Sequence, residues 1–188
     1  IQNISEDDIQ YAREKNFKIK LVPTARKIST KQVVTYVLPK FVKADDFLYN
    51  VENEYNGVTV QAAFADKQFF FGKGAGGHPT GAAVLSDIAA LRYDYRYEYK
   101  KYHQQNGLIH TDKVSIEVYL RYVHEYTVEK LEVENISERF ARNNYKYVIG
   151  SITLKNLIAN RDLLLNKDVF IAQTGKLTYS QQDIAAIA

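Results

Sequence analysis

The chain opens on a pattern that spells a capped helix. In ISEDDIQYAREKN, residues 4–16, Ser5 stands where an N-cap belongs and Asp8, three places on, completes a capping-box pair. Ile4 and Ile9 occupy the two positions of a hydrophobic staple. Glu6, Asp7 and Asp8 put negative charge at the positive end of the helix dipole, Arg13 and Lys15 lie near the other end, and Asn16 is the stop. The period then falls to two. FKIKL alternates Phe17, Ile19 and Leu21 with lysines, as a half-buried strand does, and Pro23 marks an interruption or a sheet edge. QVVTYVL is a short β-branched strand ending at Pro39, and ADDFLYNV predicts a short helix. GVTVQAAFA alternates Val58, Val60, Ala62 and Phe64. Asp66-Lys67 then turns the chain into QFFF, so the two runs predict an antiparallel hairpin.

From Pro79 to Leu91 the spacing is helical. Val84, Leu85, Ile88 and Leu91 recur on one face and small residues fill the others. A helix that is apolar nearly all round is expected to be buried. A change of composition comes next: RYDYRYEYKKYHQQNG, residues 92–107, alternates tyrosine with charge, and 92–110 reads as a linker. Beyond it, VSIEVYLRYV predicts a strand, ENISERFARNN a helix, and YKYVIGSITL a strand with a bulge at Gly150. KNLIANRDLLLNK predicts a helix and DVFIAQT a last strand. Strands alternating with helices over this length predict a small ferredoxin-like sandwich. The tail after Gly175 reads as a short helix or a disordered end. The expected class is therefore α+β, a mostly antiparallel sheet with helices over 1–91 and a ferredoxin-like unit over 111–188.

Composition narrows the function. Over 188 residues, 46% are hydrophobic and 25% charged, an ordinary globular balance. No apolar run reaches the ~18 residues of a membrane span, and the polar first residues are unlike a signal peptide. Together these give the expectation of a cytoplasmic protein with no membrane partner. The absence of cysteine excludes disulfides, thiolate metal sites and a cysteine nucleophile. A net charge of +3 is too small for a nucleic-acid footprint. Asp94 and Glu98 also break the positive run of the tyrosine-rich stretch, which reads better as a packed face than as a base-stacking surface. His78, His103, His110 and His124 lack metal-ligand spacing. Ser86 and Asp87 have no nucleophile-elbow context and read as a packing pair on a buried helix. The chain has no methionine and opens on Ile1, which gives the expectation of a piece of a longer protein.

The stretch FFFGKGAGGHPTGAAVLSDI, residues 69–88, carries the candidate chemistry. Formally it contains G-x-G-x-x-G at a strand-to-helix crossing. A Rossmann fingerprint needs a parallel strand with an acidic end downstream. Here the upstream strand is half of a hairpin, and the tyrosine–charge alternation occupies the downstream position. Glycines in this run can take positive φ and let main chain approach a ligand, and the adjoining helix begins with unpaired amides. Equally, they can serve only a crowded crossing, and the residues alone leave both readings open.

The segment NVENEYNGVTVQAAFADKQFFFGKGAGGHPTGAAVLSDI, residues 50–88, resembles the end of the catalytic region of homoserine dehydrogenases. There a hairpin ending in Y/F-G-x-G-A-G leads into a P-T-x-x-A-V-x-x-D-[IL] helix. This chain supplies Phe71-Gly72-Lys73-Gly74-Ala75-Gly76, then Pro79-Thr80, Ala83-Val84 and Asp87-Ile88. ISEDDIQYAREKNFKIKLV is similar to that family's helix and strand ending in I-K-L, so the likeness covers residues 1 to about 91. Gly57, where the family often has alanine, is a mild departure. The resemblance implies an NAD(P)-dependent oxidoreductase interconverting aspartate semialdehyde and homoserine, on the route to threonine and methionine. It implies a chain lacking the N-terminal Rossmann domain and the catalytic lysine, and therefore inactive and free of cofactor when alone. Lys18, Lys20 and Lys40 are read as strand-surface charges. Gly74, Ala75 and Gly76 are implied to lie against the nicotinamide, and the hairpin sheet to pair in a homodimer. Residues 111–188 resemble ACT-like regulatory modules, implying an amino-acid effector such as threonine, although HEYTVEKLEVEN stands where such modules often carry a D-x-P-G turn. The competing reading is a stand-alone ligand-binding or assembly module without chemistry of its own.

Overall fold

The computed structural model describes residues 3–93, 95, 107–142 and 144–179. The chain forms two compact units, one from Ile1–Lys43 with Asn106–Ala188, the other from Ala44–Gln105.

The first unit begins with α1 (Glu6–Glu14), and its cap is the one the sequence spells. Ser5 Oγ accepts from the Asp8 amide at 3.3 Å, and Asp8 accepts from the Ser5 amide at 2.8 Å. β1 (Phe17–Lys27) and β2 (Gln32–Lys43) then pair antiparallel, from Phe17↔Lys43 to Lys27↔Val33. β1 is an edge strand, so Pro23 stands where a missing amide costs least. β2 does not stop at Pro39. One lost donor leaves the remaining pairs with β1 to hold the strand to Lys43. β5 (Ile109–His110) adds a short parallel pairing to β2.

The rest of this unit runs β6 (Ser115–Tyr122), α3 (Tyr126–Lys130), β7 (Glu134–Arg142), β8 (Tyr145–Thr153), α4 (Leu154–Ala159), α5 (Arg161–Leu164), β9 (Phe170–Thr178). The spatial order is β9-β6-β8-β7, every neighbour antiparallel, which is the fourth-first-third-second order of a ferredoxin-like βαββαβ sheet. β2 joins this sheet beside β9 at Lys40↔Gln173.

Three local expectations are corrected here. The helix predicted over ENISERFARNN is the edge strand β7. Ile136 and Phe140, four apart, mimic a helical stripe, but each is still more than a third exposed, and the pairing with β8 decides the conformation. The helix lies earlier, at α3, where buried Val128 and Leu131 anchor a single turn. The bulge lies on β7, between Glu134 and Glu138, across from Gly150. A side chain at Gly150 would meet the Glu134 carbonyl oxygen at 2.8 Å, so glycine serves the close approach of the bulged strand. β9 runs on to Thr178, so residues 175–178 are strand; residues 180–188 lie outside the described ones.

Alternation distributes the core. Ile116, Val118, Leu120 and Tyr122 of β6 pack with Val148 and Ile152 of β8 and Leu154 and Leu157 of α4. The other face holds Tyr119, Tyr147, Phe170 and Phe41 against Tyr11 and Ala12 of α1. Helices thus cover both faces of one sheet, and α1 supplies the second cover. The compact units consequently divide differently from the boundary drawn at 92–110: residues 1–43 share a sheet and both cores with the C-terminal strands. Of the tyrosine-rich stretch, 94 and 96–106 lie outside the described residues.

The second unit holds a 3-10 turn (Phe47–Asn50), β3 (Tyr55–Val60), β4 (Gln68–Lys73) and α2 (Gly77–Arg92). The Asp46 carboxylate caps the turn by accepting from the Leu48 amide at 3.0 Å. β3 and β4 form the expected hairpin, Tyr55↔Lys73 to Val60↔Gln68, with a loop over 61–67 that is longer than the tight turn expected at Asp66-Lys67. Stacked rings brace it: Tyr55 on Phe71 at 4.7 Å and Phe47 on Phe69 at 5.3 Å. α2 departs from expectation. It has no buried residue, and Val84, Leu85, Ile88 and Leu91 are 54–70% exposed. Four large apolar side chains on one exposed helix face form a patch that the described residues leave uncovered.

Candidate functional site

The glycine turn sits between β4 and α2, wholly within the second unit, and residues 72–78 are exposed. Its glycines are not equivalent. At Gly74 an added Cβ would overlap the side-chain amide of Asn56, while the Gly74 amide donates to the Glu54 carbonyl oxygen at 3.0 Å. The main chain is therefore pressed onto β3. Gly76, the N-cap of α2, has φ of +111°, a region that side-chain-bearing residues rarely enter. Gly72 and Gly77 face open space, so sterics do not require glycine at either. Gly74, Ala75 and Gly76, the residues singled out in the sequence, thus form one surface bend that leads directly into the first amides of α2.

Lys73 flanks the bend. Its ammonium meets Glu54 at 2.8 Å and lies 5.4 Å from the centre of the Tyr55 ring. The hydrogen bond between them holds the lysine pKa above, and the glutamate pKa below, their ordinary values. The cation is thereby directed onto its own hairpin, leaving main chain as the principal surface of the bend.

The other sequence candidates are scattered. Ser86 and Asp87 are exposed on α2 and do not form the buried pair expected of them. Lys20 and Lys40 stand directly opposite one another across β1 and β2, half-buried, and both engage partners. His78 is exposed, and His124 stacks on Tyr126 at 5.6 Å. Among the described residues no group of His, Asp or Glu could hold a metal.

Sequence reasoning missed a buried polar network in the first unit. Asp8, fully buried, accepts from Arg121 Nε at 3.0 and 3.1 Å and from the Tyr119 hydroxyl at 2.8 Å. Arg121 also donates to the Asn3 carbonyl oxygen at 2.7 Å, and the Asn3 amide reaches the carbonyls of Leu164, Asn166 and Val169. The one available signal was the polar alternation Glu117, Tyr119, Arg121 on the strand face opposite the apolar one.

The fold defines a class, an α+β protein built on a mostly antiparallel sheet. In fold the chain is similar to a homoserine dehydrogenase from Thiobacillus denitrificans, with a TM-score of 0.65 and 17% identity over 94% of this chain and 46% of that one. It is also similar to the Staphylococcus aureus homoserine dehydrogenase, with a TM-score of 0.50 and 24% identity over 90% of this chain and 44% of that one. In sequence, residues 1–89 match the family model described as homoserine dehydrogenase. The enzyme of Corynebacterium glutamicum is 35% identical over 92 residues, and that of Helicobacter pylori 34% over 91. In each, the match takes in about half of this chain and 21% of the relative. Residues 1–89, a little under half of the chain, are thus similar to the homoserine dehydrogenase family, and the chain spans only about a fifth of the length of the curated relatives it matches.

Proposed function

We propose that the chain is the C-terminal part of an NAD(P)-dependent homoserine dehydrogenase, reducing aspartate semialdehyde to homoserine in threonine and methionine biosynthesis. The observation that carries this reading is the Gly74–Gly76 bend, whose positive-φ Gly76 and closely packed Gly74 stand in the family-matched segment and leave an exposed surface with no side chain larger than the Ala75 methyl. Such a surface fits the flat face of a nicotinamide, which when bound supplies the hydride. The chain's own contribution is shape. Gly76 turns the main chain outward through its left-handed φ, Gly74 packs that main chain onto Asn56, and Lys73 is tied back to Glu54. The Rossmann domain and the catalytic lysine belong to the preceding part of the polypeptide, so this chain alone is inactive and binds no cofactor. Gly76→Val in the whole enzyme is expected to depress kcat/KM and raise KM for the cofactor while leaving the fold largely intact, at the cost of local φ strain. Normal turnover and normal cofactor affinity in that variant would sink the assignment.

Two further parts of the reading have their own support. The exposed β3–β4 face, with Val58 and Phe70 paired across the hairpin, supports a homodimer through this sheet. The βαββαβ order of β6–β9 supports an ACT-like unit that senses an amino acid such as threonine. Calorimetry with millimolar threonine tests the second: saturable heat supports it, and its absence counts against it.

A further inference from the structure

Away from the glycine bend, the first unit holds a cleft of ≈ 520 Å³ between α1 and the β7–β8 hairpin. Asp7, Tyr11 and Glu14 line it from α1, at spacings of four and three that put them on one helix face. Phe140, Tyr145 and Tyr147 line it from the hairpin. The rings form one surface: Tyr147 lies 5.1 Å from Tyr11, 5.3 Å from Phe140 and 5.4 Å from Tyr145. Their hydroxyls are engaged elsewhere, Tyr147 with Glu138 and Tyr145 with Tyr119, so what these residues offer the cleft is ring.

The charge of the cleft is lopsided. Asp7 and Glu14 face Arg142 across it, and Glu138 adds a further carboxylate bonded to the Tyr147 hydroxyl. Burial pushes the Tyr145 hydroxyl up to about 12; its hydrogen bond to Tyr119 opposes this, and the carboxylates of Asp8, Asp7 and Glu14 add smaller pushes in the upward direction. Tyr11 is likewise pushed up to about 12, by burial and then by Glu138 and Tyr145. The carboxylate part of this effect, smaller than that of burial, is the part that favours a cation in the same place. The Tyr11 ring already has a cation near it, since the Lys15 ammonium, which is not part of the cleft lining, stands 5.9 Å from its centre.

We propose that this cleft binds a small organic cation, an alkylammonium or guanidinium group seated on the Tyr11–Tyr147–Tyr145 rings with Asp7 and Glu14 as its counter-charges. The cleft is far larger than such a group needs, so the rest of the ligand runs past Gln10, which is held to Glu14 at 2.9 Å, toward Asn144 at the hairpin turn. The site lies on the sheet face covered by α1, opposite α3 and α4, and it is independent of the reading given to the glycine bend.

The test is a titration of the protein, carrying ¹³C-labelled tyrosine, with agmatine and with n-butylamine; glycine and succinate serve as zwitterionic and anionic controls. Saturable shifts confined to Tyr11, Tyr145 and Tyr147, with Kd of about a millimolar, are expected for the two cations. Asp7→Asn with Glu14→Gln, both at exposed positions, should weaken binding about tenfold. Independently of any variant, affinity for agmatine should fall as the ionic strength is raised to about 1 M. Three results overturn the proposal: no saturation by either cation at tens of millimolar, an affinity indifferent to salt, or shifts with glycine but not with the amines.

Discussion

Arg121 Nε stands 3.0 and 3.1 Å from the two carboxylate oxygens of Asp8, with the aspartate fully buried and the arginine 8% exposed. The carboxylate that caps α1 is thus also the ion-pair partner of a strand 113 positions away. Removing one member leaves the other charged without a counter-ion in the core. Asp8→Asn or Arg121→Met is expected to destabilise the first unit by about 3–5 kcal/mol. The double change Asp8→Leu/Arg121→Met should lose less than the sum of the two, because no orphan charge remains. Urea unfolding followed by tyrosine fluorescence measures the cycle, and strict additivity would show that the pair is not coupled.

The glycine bend makes a discriminating series. Gly74→Ala should cost no more than about 1 kcal/mol, because the exposed Asn56 amide that it meets can swing aside, and Asn56→Ala in the same chain should relieve that cost. Gly76→Ala should cost about 1–2 kcal/mol through φ strain alone and should not be rescued by Asn56→Ala. Gly72→Ala, facing open space, should stay within about 0.5 kcal/mol of the parent. Thermal melts of the variants check the ranking.

Alkaline pH should unfold the first unit in a definite window. Tyr11 and Tyr145 move from 10.0 to about 12 on folding, chiefly by burial, so the folded state holds these protons more tightly than the unfolded one. The associated stability is complete below pH ~10 and is lost as pH rises through ~12. Tyr119 and Tyr147 are pushed further in the same direction. Tyrosinate absorbance should rise in two phases, the exposed tyrosines first and the buried set together with loss of structure. A single phase centred near pH ~10, with the fold retained, would contradict the burial assigned to these rings.

If the hairpin sheet is the dimer face, charge placed on it should separate the subunits. Val58 and Phe70 stand opposite one another across β3 and β4, 56% and 59% exposed. Val58→Asp with Phe70→Asp should convert a dimer into a monomer at micromolar concentration and raise the dissociation constant by at least about a hundredfold, since both charges would be desolvated on association. Sedimentation velocity reads the outcome directly, and a wild-type monomer would remove the premise.

Local signals carried well. The Ser5–Asp8 box, the β1 edge marked by Pro23 and the β3–β4 hairpin all depend on residues a few places apart, and three of the four long strands beyond residue 114, β6, β8 and β9, were legible from their local apolar pattern. Signals that depend on distant partners did not. β7 was illegible because Ile136 and Phe140 fit either period, and only pairing with β8 chooses. The exposure of α2 was illegible because apolar composition reports that a face needs covering, not whether this chain covers it. Asp8 announced its cap but not its arginine, since nothing near residue 8 encodes residue 121.

The tie from Asn3 and Asp8 to Arg121 and to the carbonyls of residues 164–169 constrains how such a protein can be recombined. A chimera that keeps residues 1–89 and exchanges the remaining C-terminal residues would strand an acidic side chain beneath α1, unless the incoming strand brought its own arginine to the same rung. The two halves are therefore expected to travel together as a matched inheritance, with any new C-terminal graft first having to solve a charge problem posed at the other end of the polypeptide.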